Sequence, residues 1–380
     1  MKVKVSRILQ AAAGVALAGV GLYIFFRKLD PSSLLKEIYR TGPWVIVAIA
    51  VVAMAGLWLR GLRWKILLPD NGQGHKRGLF PIVTVAFMIN NILPLRLGEP
   101  ARVLLLWKRN RYTIATSIGS LVLERVIDAL AFSSFFFLPV LLVQRFRSIP
   151  FALPLAAASA LLFLLVIGSF IAYCLFPVRF RQFASRVNLL LPKKIQGFGQ
   201  KVGTELVSNL DWAFSPLKVL KVVLFSYLIA FSYSLMLILL AGNWGTFGVM
   251  EGLFGQAFAA FGAAIPLAPG FVGTLHAALM QGLTYIGIDR EKAGAMVILY
   301  HAVPYLTVTA AGLFFLFSMN VTMRDITGAD EQIRKSSLEE KADGDRDRSG
   351  SDDRAGVVRD SSGAQDGDQQ ESSGSDGGYR

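Results

Sequence analysis

The stretch LFPIVTVAFMINNILPLRLGEPARVLLLWKRNRYTIATSIGSLVLERVID (79–128) contains two apolar segments that carry polar and ionisable side chains. Such groups are costly at membrane depth, so they normally face a protein interior or a wet cavity. We therefore treat this stretch as the candidate site of the protein. The residues concerned are Asn90, Asn91, Pro94, Arg96, Glu99 and Arg102, followed by Glu124, Arg125 and Asp128.

The composition of the 380-residue chain is that of an integral membrane protein. Hydrophobic residues make up 53% of it and charged residues only 17%. Several apolar runs have the length of about 20 residues that a helix needs to cross a ~30 Å hydrocarbon core. The alternating pattern of a β-barrel is absent, so the sequence predicts an all-α, polytopic fold. The single cysteine, Cys174, lies in an apolar run, which excludes a disulfide framework and a thiolate metal site.

The apolar runs predict six membrane-spanning helices. In the first, the small residues at 16–18 also fit a signal-peptide cleavage site, but the run continues past them, which favours an uncleaved helix. The second is expected to stop at Arg60, where a basic loop begins. The predicted spans are 8–26, 43–59, 115–143, 150–176, 217–241 and 293–319.

Two further apolar segments are poor candidates for a full crossing. Residues 79–95 are short and interrupted by Pro81, Asn90–Asn91 and Pro94. Residues 250–288 are rich in glycine and interrupted by Pro266 and Pro269. Irregular backbone at membrane depth is tolerated where it is buried in protein, so we predict that both segments are re-entrant helical hairpins.

The distribution of Lys and Arg supports this layout. With a cytoplasmic N-terminus, the predicted inside loops carry 22 Lys/Arg and the outside loops carry 8, with Arg125 left in the membrane. The asymmetry holds only if 79–95 does not cross. We therefore expect both termini to be cytoplasmic and the protein to lie in the bacterial cytoplasmic (inner) membrane.

The order of the predicted segments suggests an inverted-topology repeat. A span, a hairpin and a span (43–59, 79–95, 115–143) recur as 217–241, 250–288 and 293–319. The first hairpin is expected to enter from the cytoplasm and the second from outside. Transporters place substrates at the interface of such repeats.

The chain is predicted to have two parts, a transmembrane domain (1–324) and an acidic cytoplasmic tail (325–380). The tail holds 15 Asp/Glu against 8 Lys/Arg and almost no large apolar residues, so we expect it to be disordered. The basic transmembrane domain fits contact with anionic headgroups or the positive-inside rule alone. The basic and apolar loop 177–216 fits an interfacial helix or a solvated loop.

Glu124 and Asp128 are four residues apart and therefore share one helical face with Ser117 and Ser120. Arg125 precedes Asp128 by three residues and can pair with it. Each ionisable residue costs about 2.5–3.5 kcal/mol at the centre of a membrane helix, so these charges need partners. Two interpretations remain open: an internal ion-pair network that holds helices together, and a pathway for a substrate or a proton.

The segment NNILPLRLGEPAR (90–102) contains two helix-breaking residues, Pro94 and Gly98. Arg96 and Arg102 are candidates for holding a phosphate, Arg102 through a bidentate contact. Glu99 is a candidate to pair with either arginine or to receive a proton. A cytoplasmic loop with snorkelling arginines is the alternative.

The second hairpin has at its centre the sequence AIPLAPGFVGTLHAA (264–278). Its residues Pro266, Pro269, Gly270 and Gly273 permit a sharp reversal and expose a helix N-terminus, which favours anions. His276 follows within one turn, and His301 lies in the last span. Either histidine fits a hydrogen-bonded core residue, and together they also fit a protonation switch, since imidazole titrates near pH 6.5.

Sequence signatures of a soluble catalytic domain are missing. There is no HExxH, P-loop, GxSxG or dinucleotide-binding fingerprint, and the histidines have no carboxylates nearby in sequence with which to bind a metal. We therefore expect no cofactor, no metal and no nucleic-acid partner.

Three motifs in this order, NNILPLRLGEPARVLLL (90–106), SLVLERVID (120–128) and IPLAPGFVGTLHAAL (265–279), resemble the transmembrane region of lysylphosphatidylglycerol synthases, also called the flippase-like-domain family. The resemblance covers roughly residues 8–320. Members fused to an aminoacyltransferase domain make and translocate aminoacylated phosphatidylglycerol. Because this chain has only the membrane part, the resemblance implies lipid translocation without synthesis.

The chain departs from the family pattern at two positions. The family usually shows PGG-x-G-x-x-E, whereas here Phe271 replaces the second glycine and His276 stands at the acidic position. An arginine common in the last span corresponds to His301. A histidine pair thus replaces an acid–base pair, which weakens any transfer of substrate identity from the family.

These observations predict a lipid translocase rather than an enzyme, moving an anionic phospholipid or an isoprenoid-type lipid between leaflets. The predicted substrate path comprises Asn90, Asn91, Arg96, Glu99, Arg102, Glu124, Arg125, Asp128, His276 and His301. A lipid-modifying transferase with His276 or Glu99 as general base is an alternative. A non-transporting partner of a separate lipid or glycan synthase is another, and a homodimer is left open.

Overall fold

Five long helices dominate the computed structural model, each with the length and composition needed to cross a membrane. The structure describes residues 16, 18–27, 29–70, 74–93, 96–179, 182, 186, 193–242, 247–265 and 269–319. Regular secondary structure in these residues is entirely helical, so the protein is an all-α, polytopic membrane protein, as predicted. The five helices are Pro43–Leu67, Ile114–Leu142, Ala152–Leu175, Pro216–Ala241 and Arg290–Ser318.

We label the α-helices in chain order and describe two short 3₁₀ turns, Asp211–Phe214 and Pro269–Phe271, separately. The α-helices are α1 (18–26), α2 (Pro31–Arg40), α3 (Pro43–Leu67), α4 (Leu79–Ile92), α5 (Gly98–Asn110), α6 (Ile114–Leu142), α7 (Gln144–Arg147), α8 (Ala152–Leu175), α9 (Lys193–Ser208), α10 (Pro216–Ala241), α11 (Val249–Ala264), α12 (Thr274–Tyr285) and α13 (Arg290–Ser318).

Four of the predicted spans agree with the long helices α6, α8, α10 and α13 to within a few residues at each end. The first predicted span, 8–26, lies partly outside the described residues, and its described part is α1. The predicted tail, 325–380, lies wholly outside them. The loop 177–216 is described in part and includes α9.

The predicted end of the second span, at residue 59, is wrong. Helix α3 continues to Leu67, and Arg60 and Arg63 lie inside it with only 4% and 0% of their surface exposed. These arginines therefore do not mark the start of a loop. Their charges are accommodated because α6 supplies carboxylate partners, which lie more than 60 residues further along the chain.

The first hairpin is longer than predicted. Helix α4 is continuous through Asn90 and Asn91, and it tolerates Pro81 because the missing N–H of a proline in the first helical turn needs no partner. The predicted turn residue Pro94 lies outside the described residues. The chain continues as α5, in a segment that was predicted to be a loop. Helix α5 buries a continuous run, Arg102–Leu106, within the bundle.

The second predicted hairpin, 250–288, is observed as α11, the 3₁₀ turn Pro269–Phe271 and α12. The two arms approach closely at Gly262, where a Cβ atom would lie 2.6 Å from the carbonyl oxygen of Thr274. A side chain at this position would therefore separate α11 from α12. The predicted turn residue Pro266 lies outside the described residues.

The helices pack in a reciprocal pattern. The hairpin α4–α5 packs through α4 on α3 and on α13, while the hairpin α11–α12 packs through α11 on α10 and on α6. The first helices of the two sets, α3 and α10, pack on each other. The set α3, α4–α5, α6 therefore corresponds in order and in neighbours to the set α10, α11–α12, α13.

Candidate functional site

A buried ion pair between Glu124 of α6 and Arg102 of α5 holds the first hairpin to its own set of helices. Two guanidinium nitrogens of Arg102 donate to the two oxygens of Glu124, at 3.0 and 2.7 Å. The guanidinium also lies 3.7 Å from the ring centroid of Trp64. Bidentate and stacked contacts are the geometry that arginine, unlike lysine, provides.

A second group of ion pairs lies one helical turn further along α6, at Asp128. Arg63 and Arg60 of α3 approach its two oxygens at 2.7 and 3.0 Å. Arg125 reaches both Asp128 (3.3 Å) and Glu124 (2.7 Å), and so it connects the two groups. The predicted pairing of Arg125 with Asp128 is therefore present in the structure.

This ion cluster carries an excess of positive charge. Four guanidinium groups surround two carboxylates, and every member except Arg125 is almost completely buried. Several arginine N–H groups, including Nε of Arg60, have no hydrogen-bond partner among the described residues. Buried N–H donors in proteins are normally hydrogen-bonded, so these groups are expected to bind an acceptor, either water or an anion. The ion cluster consists of Arg60, Arg63, Arg102, Glu124, Arg125 and Asp128.

A cavity of about 510 Å³ lies beside the ion cluster, between the two sets of helices. This volume is within the usual range of ligand pockets, roughly 300–1,000 Å³. Its charged lining residues come from the first set and from the turn of the first hairpin: Arg60, Arg96, Glu99, Arg125 and Asp128. Arg125 is the most exposed of them, with 45% of its side chain accessible.

Arg96 and Glu99 lie at the turn of the first hairpin and face the cavity. Arg96 donates to the backbone carbonyl of Ala263 in the second hairpin and packs over the ring of Phe271, 5.3 Å from its centroid. The Nε of Arg96 and the Oε2 of Glu99 have no hydrogen-bond partner among the described residues. Both side chains thus retain bonding capacity at the cavity wall.

The second set of helices contributes neutral polar groups to the cavity. Tyr300 of α13 donates to the side-chain oxygen of Gln256 in α11, and both residues are more than 90% buried. Tyr233 of α10 lies 6.0 Å from the guanidinium of Arg60, measured from its ring centroid. The neutral polar lining residues of this set are Ser232, Tyr233, Gln256, Tyr300, His301 and Tyr305.

The turns of the two hairpins meet at the cavity. Asn91 donates to Thr309 of α13 at 3.1 Å, and its carbonyl accepts a hydrogen bond from Tyr305 at 3.2 Å. Both turns contain a non-glycine residue in the left-handed region, Arg96 with φ 51° and Phe271 with φ 61°. Such backbone conformations cost of order 1–3 kcal/mol and are typical of functional sites.

Glycine allows the close approaches that shape the hairpins. Gly98 donates its N–H to the Asn90 side chain at 2.7 Å, and a Cβ at residue 98 would overlap the carbonyl oxygen of Ala86. At the second turn, Gly270 and Gly273 have φ values of 56° and 86°. Gly273 also lies against the backbone of Ala18 in α1, so α1 packs directly on the second hairpin.

The two predicted histidines form a pair. The rings of His276 and His301 lie 4.8 Å apart between centroids, and Phe25 of α1 packs against His276. Nδ1 of His276 accepts the N–H of Gly273 at 3.3 Å. Only His301 lines the cavity, so His276 lies behind it. In the described part of the chain, no group of three or more His, Cys, Asp or Glu is placed to hold a metal ion.

A model of the family described as the lysylphosphatidylglycerol synthase TM region matches residues 11–312, which include every helix described above except the end of α13. The chain belongs to this family. The three motifs that carry the resemblance, at 90–106, 120–128 and 265–279, all lie within the matched residues. No solved structure gives a significant match to the chain.

Curated relatives outside the lysylphosphatidylglycerol synthases also match. A UPF0104 membrane protein of Methanocaldococcus jannaschii is 26% identical over 61% of this chain and 95% of its own length. A UPF0104 membrane protein of Methanothermobacter thermautotrophicus is 24% identical over 79% of this chain and 91% of its own. Glycosyltransferase AglD of Haloferax volcanii is 27% identical over 33% of this chain. The match covers only 20% of the length of AglD.

The structure divides the predicted path residues of this family member into two groups. Arg102, Glu124 and His276 do not line the cavity, and the bidentate partner of Arg102 is Glu124 rather than a free site for phosphate. The predicted residues that line the cavity are Asn90, Asn91, Arg96, Glu99, Arg125, Asp128 and His301.

Sequence reasoning missed several cavity and cluster residues. Arg60 and Arg63 were assigned to a loop, and Tyr233, Gln256 and Tyr300 were not considered. Gln256 had a usable signal, since it is the one polar residue in the apolar, glycine-rich run 252–265. A polar residue in an apolar run is the same criterion that identified the candidate site in 79–128. The tyrosines had none, because an isolated tyrosine in a membrane helix is common.

Proposed function

We propose that this protein moves a lipid with an anionic headgroup between the leaflets of the membrane, and that the headgroup passes through the cavity between the two sets of helices. The observation that carries the proposal is the excess of positive charge beside the cavity. Arg60, Arg96 and Arg125 face Glu99 and Asp128 there, and Arg63 and Arg102 outnumber Glu124 behind them.

The size and lining of the cavity support a headgroup rather than a whole lipid. A volume of about 510 Å³ holds a headgroup or a small ligand but has no room for two acyl chains that reach half-way across a ~30 Å core. Apolar residues such as Phe87, Phe132 and Met236 complete the lining. The chains would therefore remain in the bilayer while the headgroup passes through the protein.

The reciprocal packing of the two sets of helices supports an inverted-topology repeat as the transport framework. In this proposal α4–α5 enters from the cytoplasm and α11–α12 from the opposite side, and the hairpin turns meet at the middle of the membrane. Exposure of the cavity would alternate as one set moves against the other. Both termini would then be cytoplasmic. Labelling in intact cells of single cysteines introduced at residues 2 and 350, after Cys174→Ser removes the native cysteine, tests this directly.

Lipid exchange in vesicles tests the proposal. The purified protein is reconstituted into liposomes that contain phosphatidylglycerol with a fluorescent acyl chain, and quenching from outside measures the fraction of probe that crosses. We expect the outer and inner pools to exchange faster than in protein-free vesicles. Arg125→Gln, which removes the most exposed charge of the cavity, should slow exchange about tenfold or more, because a charge-assisted contact to the headgroup is lost.

The matched control is Arg40→Gln, since Arg40 lies in α2, its side chain is 63% exposed, and its ion pair among the described residues is with Glu37, three residues away. This variant should exchange lipid at the wild-type rate. Exchange no faster than in empty vesicles, for anionic, zwitterionic and isoprenoid-phosphate probes alike, would refute the proposal. Mass spectrometry of the lipids after incubation separates translocation from a transferase reaction, because translocation leaves every lipid mass unchanged.

One finding favours a second role, as a membrane partner of a separate glycan synthase. A stretch of 128 residues in this chain is similar to part of Glycosyltransferase AglD, and the matched part is only 20% of that protein. In this proposal the protein supplies the membrane part while a separate synthase supplies the chemistry. Affinity purification from the native membrane, followed by identification of co-purified synthases, tests it.

A further inference from the structure

A smaller pocket, of about 210 Å³, lies where α3 ends and α10 begins, and it shares no lining residue with the cavity between the two sets of helices. One side of it is formed by residues at the end of α3 and just after it, between 66 and 70. The other side is the connection from α9 to α10, which contains the 3₁₀ turn Asp211–Phe214. A single water needs only roughly 10–15 Å³, so this pocket has room for a small molecule.

The buried part of the pocket wall has one hydrogen-bond donor and one acceptor without a partner. Nε1 of Trp212 and Oδ1 of Asn209 form no hydrogen bond within the described part of the chain, although the two residues are only 6% and 1% exposed. Other contacts fix their positions. The indole stacks on Phe170 with 5.7 Å between ring centroids, and Nδ2 of Asn209 donates to the carbonyl of Thr116 at 2.9 Å. Buried polar groups are normally hydrogen-bonded, so we expect a bound molecule to supply one acceptor and one donor here.

The exposed part of the pocket wall carries an excess of negative charge. Asp70 is shared between Lys76, at 2.5 Å, and Lys218 of α10, at 3.1 Å. Asp211 is also exposed, and no ion pair joins it to another residue that the structure describes. The charge of Lys218 is therefore already balanced, whereas that of Asp211 is not. The pocket thus attracts a cation more than an anion.

From these groups we infer that the pocket binds a small primary amine that also carries a hydroxyl or carbonyl oxygen, with its nitrogen at Asp211 and Asn209 and its oxygen at Trp212. An ammonium group has three donors, enough for both acceptors, and the oxygen accepts the indole N–H. A simple alcohol lacks the charge that Asp211 requires. A simple alkylamine leaves the buried indole N–H unpaired, which costs binding free energy.

The pocket lies where the two sets of helices are joined. Asp70 follows α3 of the first set, and its partner Lys218 belongs to α10 of the second set. Asn209 is bonded to α6 of the first set through Thr116. A molecule that fills the pocket therefore fastens α10 to α3 and α6. If one set moves against the other, the bound amine should slow lipid exchange. This slowing depends on the proposed function, whereas the binding of the amine does not.

Thermal unfolding of the full chain in detergent at pH 7 measures the binding with four probes of similar size. Ethanolamine has the amine and the oxygen, ethylamine lacks the oxygen, ethylene glycol lacks the amine, and glycolate is an anion. We expect ethanolamine to raise the unfolding midpoint in a saturable manner. Its dissociation constant should be about tenfold or more lower than that of ethylamine or ethylene glycol, because each of these lacks one of the bonds. Glycolate should not stabilise the protein.

Trp212→Phe removes the indole N–H and keeps a ring that can stack on Phe170. It should weaken the binding of ethanolamine about tenfold and leave that of ethylamine unchanged. Asp211→Asn is a second variant in case Trp212→Phe folds poorly, and it should abolish the preference for ethanolamine over ethylene glycol. The matched controls are Trp58→Phe and Asp289→Asn, since both residues are exposed and neither lines the pocket. Neither control should change the binding of any probe.

Three outcomes of the unfolding measurements would overturn the site. They are equal stabilisation by ethanolamine, ethylamine and ethylene glycol, tighter binding of glycolate, and a preference for ethanolamine that persists in both Trp212→Phe and Asp211→Asn. The pocket would then hold water only, or the amine would bind elsewhere. Phosphatidylethanolamine in mixed micelles is the comparison ligand. Stabilisation as strong as that by ethanolamine, lost in Asp211→Asn, would keep the ligand class but assign a lipid headgroup as its source.

The exchange assay decides whether the amine holds the two sets of helices together. Saturating ethanolamine on both sides of the vesicles should slow phosphatidylglycerol exchange about fivefold or more in wild type, a usual size for coupling between two sites. It should not slow Asp211→Asn. Unchanged exchange by protein that binds ethanolamine would overturn the fastening of the two sets. If the wild-type protein exchanges no lipid, the proposed function fails, and the unfolding measurements alone decide the binding site.

Discussion

The charged residues of this protein fall into two regions that differ in how far their charges are already paired. In the inner part of the ion cluster, Glu124, Arg102 and Arg63 are buried and bonded to protein partners. At the cavity wall, Arg96 and Glu99 are only partly buried, and no ion pair joins either of them to another described residue. The inner region therefore resembles a structural lock, and the outer region resembles a binding surface.

This difference shows that the two interpretations of the ionisable residues in 79–128 are not alternatives. Glu124 satisfies the ion-network interpretation, because each of its oxygens accepts a charged hydrogen bond. Arg96 fits the pathway interpretation on which the proposed function rests, because it lies at a hairpin turn against the cavity. Arg125 and Asp128 belong to both, since they are members of the ion cluster and also line the cavity.

Glu124→Gln should have the largest effect on stability. It leaves Arg102 buried opposite a neutral amide and removes a charged partner of three further arginines. Breaking a buried ion pair from one side costs about 3–5 kcal/mol. We expect a clear fall in the thermal unfolding midpoint in detergent and a lower yield of folded protein.

The control for this prediction is Glu37→Gln, the same substitution in the surface pair with Arg40. It should change the free energy of unfolding by less than about 1 kcal/mol, because exposed pairs contribute little. Similar unfolding midpoints for Glu124→Gln and wild type would show that the inner region is not a lock.

Arg96→Gln should show the opposite balance. It removes one hydrogen bond to Ala263 and one contact with the Phe271 ring, so the free energy of unfolding should fall by only about 1–2 kcal/mol. Exchange of phosphatidylglycerol should nevertheless slow by about tenfold or more in folded, reconstituted protein. A variant that unfolds as easily as Glu124→Gln but exchanges lipid at the wild-type rate would reverse the assignment of the two regions.

Much of the fold was accessible from the sequence because apolar length is a local property. Helices α6, α8, α10 and α13 were predicted almost to their ends, and the second hairpin was recognised from its prolines and glycines. The end of α3 and the helical nature of α5 were not predictable in this way. Both segments contain arginines whose partners lie on other helices, so local charge density indicated a loop where tertiary pairing permits a buried helix.

Only the charged part of the site was predictable from the sequence. An ionisable side chain at membrane depth costs free energy, so its presence in an apolar segment indicates a function or a buried partner, and this criterion found Arg96, Glu99, Arg125 and Asp128. The neutral polar lining residues of the second set of helices were missed because Tyr300 and Gln256 carry no charge and are 44 residues apart in the chain. Their importance depends on α11 and α13 meeting across the cavity, and that is a property of the packing.

Phe271 gives a smaller test that isolates backbone strain at the turn of the second hairpin. Phe271→Ala and Phe271→Gly both remove the ring, but only glycine adopts the positive φ without strain. The glycine variant should therefore unfold at a higher temperature than the alanine variant, by about 1 kcal/mol in free energy. If alanine is equal or better, the turn is not strained.

The same pair of substitutions at Phe261 is the control, because this residue lies within α11 and is 43% exposed. In a helix interior glycine is less favourable than alanine by about 1 kcal/mol. The order of stabilities should thus reverse between positions 271 and 261. A reversal would show that strain is confined to the hairpin turn at the cavity and is absent from its arm.

The smallest expected effect is at Asp70, an exposed carboxylate after α3 that accepts hydrogen bonds from Lys76 (2.5 Å) and Lys218 of α10 (3.1 Å). These bonds lower the pKa of Asp70 below its usual value. A lowered folded-state pKa gives stability that is present above the unfolded pKa, near 3.9, and is lost as the pH falls through the folded value. Asp70→Asn should therefore be less stable than wild type at pH 7 by a few tenths of a kcal/mol, and the difference should shrink as the pH is lowered below about 4.

The stability difference between Asp70→Asn and wild type should also shrink at high salt, which screens exposed pairs far more than the inner ion cluster. A difference that persisted in acid would mean that Asp70 acts through its shape and not through its charge.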